Sequence, residues 1–105
     1  MPETETGKLL PSELLRRGWC QGAFAMNAAN QPTTWSNPKA VAWCFEGALL
    51  AATGATEITP LLTRASAIAR RLGGFGAMVV WNDAPERTQA EVVALMEQVE
   101  KELGL

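Results

Sequence analysis

The densest group of polar side chains in this 105-residue sequence lies in residues 81–88, which read Trp-Asn-Asp-Ala-Pro-Glu-Arg-Thr. An indole beside an amide, a carboxylate and a guanidinium would suit a flat polar ligand such as a nucleobase or a nucleotide. The same residues suit a structural role, because Asn82 and Asp83 can bond their own backbone in a turn and Arg87 can pair with Asp83 or Glu91. The residue types favour the structural role and leave the binding role open.

Tryptophans extend the candidate site beyond this segment. The chain has four, of which Trp19 and Trp35 lie in segments without helical periodicity. Aromatic residues in irregular segments are enriched at interfaces, although they can equally cover the core. Trp43 lies in a long apolar run and is expected in the core. The candidate ligand or partner contacts are therefore Trp81, Asn82, Asp83, Arg87, Trp19 and Trp35.

The residues that most enzymes use for acid–base or nucleophilic chemistry are scarce. Histidine is absent, which removes Ser-His-Asp and Cys-His arrangements, His-ligated zinc and the usual proton shuttle near neutral pH. Cys20 and Cys44 match no metal or redox motif, and we expect two reduced thiols. We predict no catalytic residue, no metal ligand and no cofactor. The alternative is a small enzyme that uses carboxylates or a cysteine near residues 81–88, but neither group has an evident activator in the sequence.

Net charge and hydropathy narrow the classes of partner. A formal charge of −2 and a pI near 5.1 disfavour binding to phosphate backbones, which requires clustered Lys and Arg. A nucleic-acid-binding regulator is a further alternative, supported only by Arg64, Arg70 and Arg71 on one predicted helix. No stretch approaches the roughly 18 apolar residues of a membrane span, and residues 1–8 lack the apolar core of a leader. These patterns predict a cytoplasmic protein without a membrane segment.

The first two predicted helices occupy the N-terminal half. Leucines over 8–17 predict a short helix that Gly18 terminates. Residues 40–52 are apolar nearly all round after a cap-and-proline start, which predicts a helix at the buried centre of the domain. Gly47 inside it would cost about 1 kcal/mol relative to alanine. We therefore expect Gly47 to let another element approach closely.

Two further helices are predicted in the C-terminal half. An amphipathic helix begins at Pro60 and ends at Gly73. Thr88 and Glu91 form a capping box, in which a hydroxyl and a carboxylate satisfy free backbone N–H groups at a helix start. The helix that follows carries an apolar stripe formed by Val92, Leu95, Met96, Val99 and Leu103. The polar side chains predicted outside this stripe are Glu91, Glu97, Gln98, Glu100 and Lys101.

Two segments lack helical periodicity. Residues 19–35 predict an irregular segment or a small β-ribbon, with a turn at 27–32. A short apolar run after a glycine-rich stretch predicts a short extended segment near 75–81. The predicted fold class is therefore mainly α, a compact bundle of about four helices. Residues 1–7 are expected to form a flexible tail, and residues 8–105 a single helical domain.

Several short motifs together resemble an uncharacterised family of small bacterial and phage proteins. The strongest is the pattern Trp-Asn-Asp-Ala-Pro-x-Arg-Thr-x-x-Glu, which starts at Trp81. Earlier matches are a Gly-Trp pair at 18–19, Gly-Ala-Phe-Ala at 22–25, apolar motifs within 40–49 and Gly-Gly-Phe-Gly at 73–76. The resemblance implies a bacterial or phage setting and no particular mechanism.

The expected function is that of a small non-catalytic binding module. In a phage or bacterial setting, such an accessory protein would capture a host protein or a small polar ligand such as a nucleotide. The expected partner is therefore a protein or a small polar molecule, with nucleic acid unfavoured and no membrane involved. Association into a homo-oligomer is also compatible with the sequence.

Overall fold

The computed structural model describes residues 9–54, 60–73 and 78–105. The predicted N-terminal tail lies outside these residues, and so does the glycine-rich stretch at 73–76 apart from Gly73. No described helix combines the length and hydrophobicity that a membrane crossing requires. The described helices contain many more residues than the one small antiparallel sheet. The fold is therefore mainly helical, as the sequence predicted in outline. The elements are α1 (Pro11–Arg17), β1 (Ala25–Asn27), β2 (Pro32–Thr33), β3 (Ala40–Trp43), α2 (Phe45–Thr53), α3 (Pro60–Gly73), α4 (Met78–Asn82) and α5 (Gln89–Leu103).

The β-ribbon predicted after α1 is confirmed. β1 and β2 pair antiparallel, with Ala25 opposite Thr33. The Asn27 side chain shapes the connecting turn, because its Oδ1 accepts a hydrogen bond from the backbone N–H of Gln31 at 3.0 Å. Asn30 adopts a positive φ of 61°, a conformation that Asn tolerates better than most residues. The sequence therefore located both the ribbon and its turn.

The helix predicted over 40–52 is wrong in its first part, where β3 runs instead. β3 pairs antiparallel with β1 and completes a sheet of order β2-β1-β3. The cap signal at 36–38 belongs to a turn, in which the Asn37 side-chain oxygen accepts from the backbone N–H of Lys39 at 2.8 Å. The β-branched Val41 suits a strand. An apolar run of this length does not by itself separate a strand from a helix.

α2 begins after Cys44, whose sulfur accepts a hydrogen bond from the Gly47 N–H at 3.2 Å. Gly47 permits a close approach, as the sequence predicted. A Cβ at this position would lie 2.1 Å from the carbonyl oxygen of Phe24, which also accepts from the Cys44 N–H at 3.1 Å. Because Gly47 has no side chain, α2 can pack directly against the backbone of Phe24.

A short helix, α4, occupies the described part of the predicted extended segment, from residue 78 onward, and residues 75–77 lie outside the described residues. It closes with a hydrogen bond from the Asp83 N–H to the Val79 carbonyl oxygen at 3.0 Å. Its two valines are exposed, whereas Trp81 and Asn82 are buried. The β-branched valines favour a strand locally, and the tertiary contacts of Trp81 and Asn82 override that preference.

α3 occupies the predicted range from Pro60 to Gly73. Its predicted basic face is exposed and partly engaged with the end of α5. Arg71 forms an ion pair with Glu102, and Arg64 donates to the Glu102 carbonyl oxygen at 3.0 Å.

The apolar stripe of α5 packs against α1 and α3. Val92, Met96 and Val99 are fully buried, and Leu95 nearly so. The helix begins at the predicted capping box, in which the Thr88 hydroxyl accepts from the backbone N–H of residue 91 at 3.3 Å. The stripe and the helix start are therefore confirmed.

Glu100 was predicted outside the stripe, and it is buried instead with 5% of its surface exposed. Its carboxylate accepts hydrogen bonds from the Ser12 backbone N–H at 2.7 Å and from the Ser12 hydroxyl at 2.8 Å. Ser12 lies in the first turn of α1, where the N-cap residue Leu10 has no side-chain acceptor to offer. The last helix therefore caps the first one.

Candidate functional site

Asn82 is the centre of a hydrogen-bond network that includes most of the predicted site. Its side chain is fully buried, and its Oδ1 accepts from Trp19 Nε1 at 2.8 Å and from the backbone N–H of Phe45 at 3.0 Å. Its Nδ2 donates to the carbonyl oxygen of Cys20 at 3.1 Å and to Asp83 Oδ1 at 2.9 Å. The amide thus uses its full hydrogen-bonding capacity inside the protein. Asn82 joins the segment after α1, the start of α2 and the end of α4.

A second set of bonds fastens the segment after α1 to the loop after α4. Asp83 Oδ1 accepts from the backbone N–H of Gly22 at 3.1 Å. Gln21, which the sequence analysis did not single out, donates its amide N–H groups to the carbonyl oxygens of Asn82 and Ala84 at 3.0 and 2.9 Å. Because these partners lie about sixty positions apart in the chain, no local pattern could have revealed them.

Arg87 covers the indole of Trp81. Its guanidinium carbon lies 4.1 Å from the ring centroid, and its Nε donates to the Trp81 carbonyl oxygen at 3.0 Å. Its Nη1 lies 3.6 Å from Glu91 Oε2, the predicted pairing one turn along the helix. Trp81 itself is 7% exposed and packs edge-on against Phe45. The indole face expected to stack on a flat ligand therefore stacks on the chain's own guanidinium.

The two remaining tryptophans of the predicted site have different positions. Trp19 is half-buried and belongs to the Asn82 network through its indole N–H. Trp35 packs against the core, and its carbonyl oxygen accepts from Trp43 Nε1 at 3.4 Å. No hydrogen bond among the described residues joins Trp35 to the 81–88 segment. The structure thus brings Trp19 to the site and leaves Trp35 apart from its network.

A cleft opens beside this network, with a volume of about 280 Å³. Two of its lining side chains, Phe24 and Val79, are large apolar groups with 44% and 39% of their surface exposed. Among the described residues, no donor reaches Asp83 Oδ2, whereas Oδ1 accepts two hydrogen bonds. Of this lining, only Asp83 is among the predicted binding residues, because the cleft forms where segments distant in sequence meet. The lining residues are Gly22, Ala23, Phe24, Cys44, Val79 and Asp83.

The groups around the cleft disfavour a reactive thiolate. Burial raises the pKa of the Cys44 thiol to about 11, helped by the carboxylates of Glu46 and Asp83 and opposed by hydrogen bonds from the Gly47 and Glu46 backbone. Burial, the Cys44 thiol and the Asp83 carboxylate raise the pKa of Cys20 to about 12. Both thiols are free and protonated at neutral pH.

Carboxyl groups near the cleft do not form a metal site in the described part of the chain. Burial raises the pKa of Glu46 above its ordinary value. No group of three or more Cys, Asp or Glu side chains comes close enough there to hold a metal ion. The described lining offers one carboxylate, one buried thiol and the apolar side chains of Phe24 and Val79.

A wider groove of about 460 Å³ lies between α1 and α5. An exposed ion pair between Arg16 and Glu97 connects the same two helices. No aromatic side chain among the described residues lines this groove. It is lined by Arg16, Gln89, Ala90, Val93, Ala94 and Glu97.

Comparison with known proteins places the chain in a family. No curated protein and no solved structure matches it. Residues 12–102 match a family described as a family of unknown function, DUF6197, and this range includes the Asn82 network and every residue that lines the cleft. Because the match extends over most of the sequence, the chain belongs to the DUF6197 family.

Proposed function

We propose that this domain is a non-catalytic binding module whose contact surface is the cleft between residues 22–24 and α4. The observation that carries the proposal is the pair of exposed apolar side chains, Phe24 and Val79, beside a carboxylate with an oxygen that no described donor reaches. Large apolar side chains next to a few fixed polar groups are typical of binding sites. A volume of about 280 Å³ suits a single side chain or a small fragment of a larger partner.

The buried network supports the proposal by fixing the walls of the cleft. Asn82 holds Asp83 and the backbone of Cys20, while Gly47 lets α2 press against Phe24. A wall that is already ordered loses little conformational entropy when a partner binds. Trp81, Asn82 and Arg87 therefore act as support in this proposal, and the contact groups are Phe24, Val79 and Asp83.

A protein partner is favoured over a nucleotide. The cleft is lined by one carboxylate and by no Lys or Arg among the described residues, and a phosphate group requires cationic or N–H donors. In the bacterial or phage setting that the sequence motifs suggest, that partner is a host protein.

The thiol version of the enzyme alternative is disfavoured. A nucleophilic cysteine needs a lowered pKa, and the pKa values of Cys20 and Cys44 are raised to about 12 and 11. Neither sulfur is therefore activated at neutral pH.

The test is a fragment-binding titration in which binding is detected from the backbone amide shifts by NMR. Short aliphatic alcohols, amides, amines and carboxylates are titrated into ¹⁵N-labelled protein, and we expect the shifted amides to cluster at residues 22–24 and 79–83. Val79→Ser should weaken the shifts because it removes apolar contact from the wall. Val80→Ser is the matched control, since Val80 is 62% exposed and does not line the cleft. Shifts that map to the groove between α1 and α5, or none at millimolar concentration, would overturn the proposal.

A further inference from the structure

We infer that the cleft selects a cationic N–H donor, an alkylammonium or guanidinium group such as the end of a Lys or Arg side chain on a partner protein. The inference rests on the proposed function and adds the chemical class of the ligand. Three features support this choice of ligand: the hydrogen bonding of the Asp83 carboxylate, the charges around the cleft, and the apolar side chains at the rim of the cleft.

The Asp83 carboxylate is held in place and has unused acceptor capacity. Its Oδ1 accepts from the Gly22 N–H at 3.1 Å and from Asn82 Nδ2 at 2.9 Å. An ionised carboxylate can accept about four hydrogen bonds, so two sites remain. No described donor reaches Oδ2. A donor that enters the cleft therefore meets a charged acceptor whose orientation is already fixed.

The surroundings of the cleft are acidic. Asp83 lines the cleft, and Glu46 lies in the first turn of α2, two residues after the lining residue Cys44. No Lys or Arg among the described residues lines the cleft, and Arg87 lies over Trp81 beside Glu91. A negative potential in a concave, partly dehydrated site attracts cations and repels carboxylates and phosphates.

The rim fits the apolar part of such a ligand. Phe24 is 44% exposed, and an exposed aromatic ring can attract a cation through its π face. Val79, 39% exposed, offers a surface for the methylene stem of a Lys or Arg side chain. One charged acceptor, one aromatic ring and one aliphatic wall together match the end and the stem of a basic side chain.

The experiment compares three probes of nearly equal size at one ionic strength. ¹⁵N-labelled protein is titrated with n-butylammonium, n-butanol and butyrate, and dissociation constants are taken from the shifts at residues 22–24. We expect n-butylammonium to bind roughly tenfold more tightly than n-butanol, as a charge-assisted hydrogen bond would give. Butyrate should bind most weakly of the three.

A pair of variants isolates the charge of Asp83. Asp83→Asn keeps a side-chain oxygen that can accept from Gly22 and Asn82, which preserves the fold, and the NMR spectrum verifies this. We expect this variant to bind n-butylammonium and n-butanol with similar affinity. Glu86→Gln removes an equal charge from an exposed side chain outside the cleft and should change n-butylammonium binding by less than about twofold.

The outcomes separate this inference from the proposed function. Equal binding of n-butylammonium and n-butanol to the wild-type protein would overturn the choice of a cation and leave the binding module intact. Tighter binding of butyrate would do the same. Failure of all three probes to shift residues 22–24 would overturn both.

Discussion

At the residue scale, the thiols of Cys20 and Cys44 lie in environments that differ strongly from water. Both pKa values are raised above the ordinary 9.0, to about 12 and 11, chiefly by burial. The chain contains neither His nor Tyr. Neither imidazole nor phenol groups therefore contribute to titration above neutral pH.

Stability should fall above pH 9 because of these thiols. The unfolded thiols release their protons near pH 9, whereas the folded thiols keep theirs until pH 11 to 12. The contribution is thus fully present below pH 9 and is lost as pH rises through the folded pKa. For Cys44, which is 3% exposed, the loss should be on the order of 1 to 3 kcal/mol by pH 11. Urea unfolding with reductant at several pH values measures it.

Cys44→Ser is the control for this pH dependence. Serine is a good N-cap residue and can accept from the Gly47 N–H as the sulfur does. It does not titrate in this range, so the variant should lose less stability between pH 9 and 11 than the wild type. Lysine titration is common to both proteins and cancels in the comparison. Parallel pH profiles would contradict the assignment of the alkaline loss to this thiol.

The residue types in the sequence identified the polar segment at 81–88, but they did not reveal what each of its side chains contacts. Composition and turn chemistry singled out Asn82, Asp83 and Arg87. Of the two partners predicted for Arg87, Asp83 and Glu91, the ion pair forms with Glu91. Three of the partners of the Asn82 side chain, Trp19, Cys20 and Phe45, lie far away in sequence. Their identity depends on the tertiary fold, which a single sequence does not reveal.

At the scale of elements, the sequence correctly predicted features that depend on residues within one turn of each other. The capping box starts α5, and Asn27 shapes the β-ribbon turn as predicted. The errors at β3 and α4 both concern runs that are apolar on all sides, in which hydrophobic period does not distinguish strand from helix. The burial of Glu100 was missed for another reason. Its position on the polar side of α5 becomes interior only because α1 packs there.

Glu100 should contribute far more to stability than its neighbour Glu97, although both connect α5 to α1. Glu100→Ala leaves the N–H and the hydroxyl of Ser12 buried without an acceptor, and we expect a loss of about 2 to 4 kcal/mol. Glu97 pairs with Arg16 on the surface, where both side chains are about half exposed. Glu97→Ala should cost less than about 1 kcal/mol. Urea denaturation of the two variants and the wild type gives both values.

The two glutamates form a matched pair, since each substitution removes one carboxylate from the same interface. Similar losses in the two variants would show that helix contact or net charge, and not the buried cap, accounts for the effect. Ser12→Ala supplies an independent check. It removes the hydroxyl donor and keeps the backbone N–H bonded to Glu100, so its cost should be smaller than that of Glu100→Ala.

At the scale of the whole molecule, contacts run from one end of the described chain to the other. α1 packs on α5 and α2, and α5 packs on α3, while the Asn82 network ties the segment after α1 to α4. The radius of gyration of 12.5 Å is close to the roughly 13 Å expected of one compact domain of this length. These connections favour unfolding as one unit, and the single domain predicted over residues 8–105 stays a prediction.

A single cooperative transition is therefore expected, and two probes that report on different regions can test it. Fluorescence reports on tryptophans at positions 19, 35, 43 and 81, whereas far-UV circular dichroism is dominated by the helices, including α1 and α5. The wild-type midpoints in urea should coincide. Glu100→Ala should shift both midpoints equally, although Glu100 bonds to Ser12 and not to a tryptophan. A fluorescence midpoint unchanged by Glu100→Ala, beside a lowered dichroism midpoint, would show that the α1–α5 pair unfolds separately from the Asn82 network and its cleft.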